Sequence, residues 1–125
     1  MTIEYSDLLE QFESLEINPE EFGHRQHVQV AYEMLHKYSY LDTCTRYANN
    51  INTIATNAGA PEKFNVTITL AFLSLIAERV NRSTKKDFQE FLVENQDLLS
   101  KNVLGKWYSS EQLESEFART HFLLP

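Results

Sequence analysis

Apolar residues recur at three- and four-residue intervals in the first forty positions, which predicts two amphipathic helices. The first extends from Tyr5 to Leu15, with Ser6 as its N-cap. Pro19 ends this pattern, because proline is tolerated only in the first turn of a helix. The second begins near Phe22 and ends near Tyr38. Its expected buried stripe consists of His27, Ala31, Met34, Leu35 and Tyr38.

The middle of the chain predicts two longer helices. The third extends from Leu41 to Ala58 and is ended by Gly59, a residue suited to the left-handed backbone that follows a helix. Its expected core face consists of Leu41, Cys44, Tyr47, Ala48, Ile51, Ile54 and Ala55. The fourth extends from about Phe64 to Val80 and is apolar almost all round, which is typical of a central helix packed on several sides.

A shorter helix is expected to end near Glu94, and a last one extends from Ser110 to Arg119 behind a capping box of Ser109 and Gln112. Together these segments predict an all-α, single-domain bundle of five or six helices over residues 1–125, with the fourth helix at its centre. Three glycines and three prolines are too few for the turns of a β-sandwich or barrel.

Charge, hydropathy and cysteine content argue against several classes of function. Eighteen acidic and eleven basic residues give a net charge of -7, which opposes binding to nucleic-acid phosphates. The most apolar run, residues 66–77, falls short of the roughly 20 residues that span a bilayer, so no membrane partner is expected. The single cysteine, Cys44, excludes an intramolecular disulfide. With acidic residues where a signal peptide needs basic ones, the chain is predicted to be cytoplasmic.

The second predicted helix opens with the leading candidate site. His24 and His27 are three residues apart and share one side of the helix if its first turn is formed. Two imidazoles in this arrangement are suited to proton transfer, which makes them the candidate catalytic pair, or to a shared divalent metal ion. They also suit a structural role, in which a neighbouring hydroxyl bonds to His27 and His24 caps the first turn.

The fourth predicted helix supplies the candidate ligand-binding residues. If helices two, three and four run up, down and up, the N-terminal ends of helices two and four adjoin. Asn65 and Thr69 then approach the two histidines, where free backbone N–H groups favour an anionic ligand group. The alternative for the threonine is helix packing with back-bonding to a carbonyl. Tyr108 either reaches this polar pocket as a further ligand contact or anchors a loop.

Two motifs resemble a family of small, uncharacterised bacterial helical proteins. They are F-G-H-R-Q-H-V at residues 22–28 and F-N-V-T-I-T at residues 64–69, and the similarity covers most of the chain. Many members of that family carry histidine at the position of Asn65, so the resemblance implies three converging histidines. This chain lacks the third. A divalent metal would therefore be held weakly at an open site, by His24, His27 and oxygen ligands.

Two functional hypotheses follow from the sequence. In the first, His24, His27, Asn65 and Thr69 form a pocket for a small polar or anionic ligand, with or without catalysis. In the second, the protein is a non-catalytic interaction module that binds a partner protein or a second copy of itself through apolar surface, forming a homo-oligomer in the latter case. No reaction or partner is indicated by name.

Overall fold

The computed structural model describes residues 4–125 and confirms the all-α prediction. Seven α-helices form over these residues: α1 (Asp7–Glu13), α2 (His24–Lys37), α3 (Tyr40–Asn57), α4 (Val66–Arg82), α5 (Phe88–Glu94), α6 (Ser110–Glu114) and α7 (Glu116–Thr120). Four 3-10 turns lie between them, at Pro19–Glu21, Pro61–Lys63, Gln96–Leu99 and Val103–Lys106.

Side-chain caps determine where the helices begin. Ser6 and Ser39 accept hydrogen bonds from the backbone of Leu9 and Asp42, which satisfies one free N–H at the start of α1 and of α3. The left-handed backbone of Gly59, with φ of 77°, follows the end of α3. These local devices explain why the first four α-helices begin and end within a few residues of the predicted positions.

Helix α2 is buried on more sides than its predicted stripe. Val28, Val30, Tyr32 and Met34 are almost completely buried, although only Met34 belongs to that stripe. The cause is that α1, α3 and α4 all pack against α2. A single-face interpretation therefore underestimates the buried surface of this helix, which shares the centre of the bundle with α4.

Helix α4 is central, as predicted, with Leu73 and Ile76 fully buried. It packs against α2, α3 and α7. Its mean hydropathy is high, but with 17 residues and a charged end at Arg82 it is shorter than the roughly 20 apolar residues that span a bilayer. Within residues 4–125, no helix is both long enough and apolar enough to cross a membrane.

Two expectations about helix faces and boundaries are wrong. Leu41 is 76% exposed, whereas α3 buries Thr43 and Tyr47. The predicted last helix breaks at Ser115, whose extended backbone and side-chain bond to the Ala118 N–H start a new helix. This break gives two short helices where one was expected, and the described part of the chain has seven instead of five or six.

Glu33 joins α1 to α2 although it is a buried acid. It is 3% exposed, and its carboxylate accepts hydrogen bonds from the Ser6 N–H at 2.6 Å and the Ser6 hydroxyl at 2.8 Å. The side-chain amide of Gln29 donates a third bond at 3.1 Å. These donors compensate for the loss of water around the charge, so α1 is fixed by a polar contact as well as by its apolar face.

Thr67 fixes the segment after α7 to the first turn of α4. Its hydroxyl donates to the His121 carbonyl at 2.7 Å and accepts from the Leu123 N–H at 2.9 Å. Tyr108 donates to the Leu123 carbonyl at 2.7 Å. Residues 121–123 are therefore held by three hydrogen bonds to side chains.

Tyr32 is expected to be replaceable by phenylalanine without loss of stability. Its hydroxyl is buried and has no hydrogen-bond partner among the described residues. Because such a group has lost its water without compensation, Tyr32→Phe should leave the free energy of unfolding unchanged or raise it by up to about 1 kcal/mol. Urea denaturation measures this difference.

Tyr108→Phe is the matched control, since it removes a hydroxyl that donates to Leu123. It should lower the free energy of unfolding by about 1 kcal/mol. A larger loss for Tyr32→Phe than for Tyr108→Phe would show that the Tyr32 hydroxyl has a bound partner, such as an ordered water.

Candidate functional site

A cavity of about 440 Å³ lies where the N-terminal ends of α2 and α4 meet, and we call it the main cavity because the candidate residues His24, His27, Asn65 and Thr69 line it. Aromatic side chains, including Phe22, Tyr47 and Phe72, form much of its wall. Its polar lining residues are His24, His27, Lys63, Asn65, Thr69 and Lys101. The structure thus brings together the two histidines of α2 with Asn65 and Thr69 of α4.

His24 is the first residue of α2, and a backbone carbonyl fixes its ring. Its Nε2 lies 2.8 Å from the Leu98 carbonyl oxygen. Because a carbonyl only accepts, Nε2 carries the hydrogen, and in the neutral ring Nδ1 is the basic nitrogen. The first turn is capped instead by Gln26, whose side chain accepts from the Gly23 N–H at 3.1 Å. The capping role expected for His24 is therefore wrong.

His27 stacks on Phe22, with ring centroids 4.1 Å apart and an interplanar angle of 26°. Burial lowers the pKa of His27 to about 4, and the neighbouring His24 adds to this shift, while an interaction with the Phe22 backbone opposes it. No hydroxyl of the described residues bonds to this ring. His27 is consequently neutral at pH 7 and presents one donor and one acceptor nitrogen.

Asn65 has structural contacts at both ends of its amide. Its oxygen accepts from the Ile68 N–H at 2.8 Å, which caps α4, and its nitrogen donates to the Leu113 carbonyl at 2.8 Å. One amide hydrogen is left for a ligand, because the nitrogen carries two. Thr69 lies one turn further along α4 and is partly buried in the cavity wall.

Two lysines line the cavity although the sequence did not predict them as site residues. Lys63 ends the 3-10 turn before α4, and Lys101 lies between two later 3-10 turns. The lining residues that the structure describes include no aspartate or glutamate. Lys63 directly precedes the F-N-V-T-I-T motif, so the sequence analysis indicated the segment next to it but not the lysine itself. Nothing in the local pattern around Lys101 indicated that it would approach α2 and α4.

Tyr108 lies outside the main cavity. It is buried, and its hydroxyl bonds to the Leu123 carbonyl, so it anchors the segment after α7. Burial also raises the pKa of its phenol. Of the two alternatives for this residue, the structure shows the anchor.

The donor set offers little to a metal ion. No group of three or more His, Cys, Asp or Glu side chains within residues 4–125 is arranged to hold one. At His24, Nε2 is engaged with the Leu98 carbonyl, which leaves Nδ1 for coordination. A metal at this place would need His27 and oxygen ligands such as Thr69 or water to complete its shell.

The lowered pKa of His27 should make the fold less stable as the pH falls from about 6.5 to about 4. In this range the unfolded chain binds a proton on His27 and the folded chain does not, so acid favours unfolding. The contribution is on the order of 3 kcal/mol, since each pKa unit corresponds to about 1.4 kcal/mol. Urea denaturation between pH 4 and 7 measures it as a smaller pH dependence in His27→Gln than in the wild type.

His121→Gln is the control, because it removes an exposed imidazole that lies outside the main cavity. Parallel curves for the wild type and His27→Gln would contradict the assignment of the effect to His27.

Asn65→His should create a zinc site. The new imidazole would join His24 and His27 at the main cavity, and three histidines form a known open zinc site. We expect zinc affinity to rise at least tenfold, measured by calorimetric titration. Asn65→Ala is the control, because it loses the same cap, at a cost of about 1 kcal/mol, without adding a ligand. Equal zinc affinity in the two variants would show that the three positions do not converge.

Similarity to known proteins assigns no role to the main cavity. No family model, curated protein or solved structure matches the chain. The family resemblance based on the two motifs therefore stays a prediction. The function has to be inferred from the side chains that the fold brings together.

Proposed function

We propose that the main cavity binds a small anionic ligand, with His24 and His27 as its hydrogen-bonding or acid–base groups. One observation carries the proposal. On a chain of net charge -7, the described lining of this cavity contains two lysines and two histidines but no carboxylate. A local excess of positive charge on an acidic protein attracts anions to this place and repels them elsewhere.

The size and walls of the cavity favour a small molecule. Its volume of about 440 Å³ falls within the range of small-molecule sites, roughly 300–1,000 Å³. Lys63 and Lys101 are exposed, so each would add a modest, salt-dependent attraction to a bound anion. Thr69 and the second amide hydrogen of Asn65 are available for hydrogen bonds to the ligand.

The histidines would contribute in different ways. His24 has a fixed tautomer, because the Leu98 carbonyl holds its Nε2 hydrogen, so its Nδ1 is suited to accept a proton or hydrogen bond. His27 is neutral at pH 7. An anion bound beside it would raise its pKa towards neutrality, which makes this ring suited to take up a proton when the ligand binds.

Anion binding should be measurable by NMR titration of labelled protein with benzoate, with the uncharged analogue benzamide as comparison. We expect benzoate to shift the resonances of Gly23, His24 and Asn65 and to bind more weakly at high salt. The double variant Lys63→Gln/Lys101→Gln should lower the affinity about tenfold, since each exposed charge contributes up to about 1 kcal/mol.

Lys85→Gln/Lys86→Gln is the matched control, because both lysines are exposed and lie outside the main cavity. It should bind benzoate like the wild type. Equal affinity for benzamide and benzoate, or equal losses in the two double variants, would contradict a site for anions.

The alternative function, an interaction module or homo-oligomer, is favoured by exposed apolar side chains. Leu41, Val93 and Leu124 are each at least 70% exposed, and Trp107 is 48% exposed. This alternative predicts sedimentation that depends on protein concentration and anion titrations without effect. For either function we expect a cytoplasmic location, which the single cysteine favours.

A further inference from the structure

A second cleft of about 300 Å³ adjoins the main cavity, and we call it the annex. The two share five lining residues: Phe22, His27, Ile51, Lys63 and Phe64. The other residues of the annex are all apolar, namely Pro19, Ile54, Ala55, Ala58 and Ala60. The annex is therefore an apolar extension of a polar site.

The annex follows α3 away from the main cavity. Ile51 belongs to both clefts, and Ala58, seven residues later, belongs to the annex alone. At 1.5 Å per residue, this stretch of helix is about 10 Å long. Its lining residues Ile51, Ile54, Ala55 and Ala58 recur at three- and four-residue intervals, so the annex follows one face of α3.

Positive charge lies at one end of this space. Lys63 is at the junction of the two clefts, and Lys101 is in the main cavity, whereas the far part of the annex has no polar side chain among its described lining residues. A ligand that fills both clefts therefore needs an acidic head and an apolar chain. A second charge far along that chain would find no partner among the described lining residues of the annex.

We propose that the ligand is a straight-chain carboxylate, with its headgroup between Lys63 and Lys101 and its alkyl chain in the annex along α3. This proposal rests on the proposed function, since it names the class of anion that the main cavity binds. His27 lines both parts of the site, and one face of its ring stacks on Phe22.

The experiment is an affinity series with butanoate, hexanoate, octanoate and decanoate, each kept below its micelle concentration and measured by calorimetry. We expect affinity to rise about two- to fourfold per added methylene, as apolar surface leaves water. The rise should stop once the chain exceeds the length of the annex. Octanol and octylamine should bind at least tenfold more weakly than octanoate, because they lack the acidic head.

Ala55→Leu tests where the chain lies. Ala55 lines the annex and not the main cavity, so a larger side chain there should abolish the gain with chain length and leave butanoate affinity unchanged. Thr56→Leu is the matched control, since Thr56 is exposed and lines neither cleft. If Ala55→Leu fails to fold by circular dichroism, Ala58→Leu at the exposed far end makes the same test.

The outcomes separate this inference from the proposed function. Equal affinity for butanoate and decanoate, with binding still dependent on Lys63 and Lys101, would overturn the chain site and keep the anion site. No binding of any carboxylate would overturn both. Octanol binding as tightly as octanoate, or a chain-length gain that survives Ala55→Leu, would also overturn the proposed ligand.

Discussion

Helix α2 has to bury side chains on several sides of its axis, because α1, α3 and α4 all pack against it. Every buried polar group on such a helix needs a hydrogen-bond partner. Glu33 finds one in Ser6 of the α1 cap, and His24 finds one in the Leu98 carbonyl. The hydroxyl of Tyr32 is the exception among the described residues. Thus α1 and the turn at Gln96–Leu99 supply hydrogen-bond partners to polar side chains of α2.

The cavity lies at the N-terminal ends of α2 and α4. Aromatic side chains such as Phe22 and Phe72 form part of its wall. Polar residues from the first turns then face a space with apolar walls. The lowered pKa of His27 is a direct result, since its charged form would lose water without gaining a carboxylate.

The sequence predicts the part of this arrangement that depends on local chemistry. Caps such as Ser6 and the capping box of Ser109 and Gln112 define helix starts, and the short connections imply that α2 and α4 are parallel. Contacts between distant segments are not encoded in any local pattern. Lys101 lines the cavity although it is far from α2 and α4 in the sequence. Glu33 has the sequence context of a surface residue, and only the fold shows its hydrogen bond to Ser6. Leu41 has the period of a core residue but lies at an uncovered helix end.

The contacts of Asn65 and Thr67 make one wall of the cavity stiffer than the other. Asn65 is tied to Leu113, and Thr67 is tied to residues 121–123, so the first turn of α4 is held by two later segments. Lys63 and Lys101, in contrast, are exposed and lie in short turns. Adjustment to a bound molecule would therefore fall on the lysine side, where ordering each side chain costs about 0.5–1.5 kcal/mol of conformational entropy. The first turn of α4, with Asn65, would act as a rigid template.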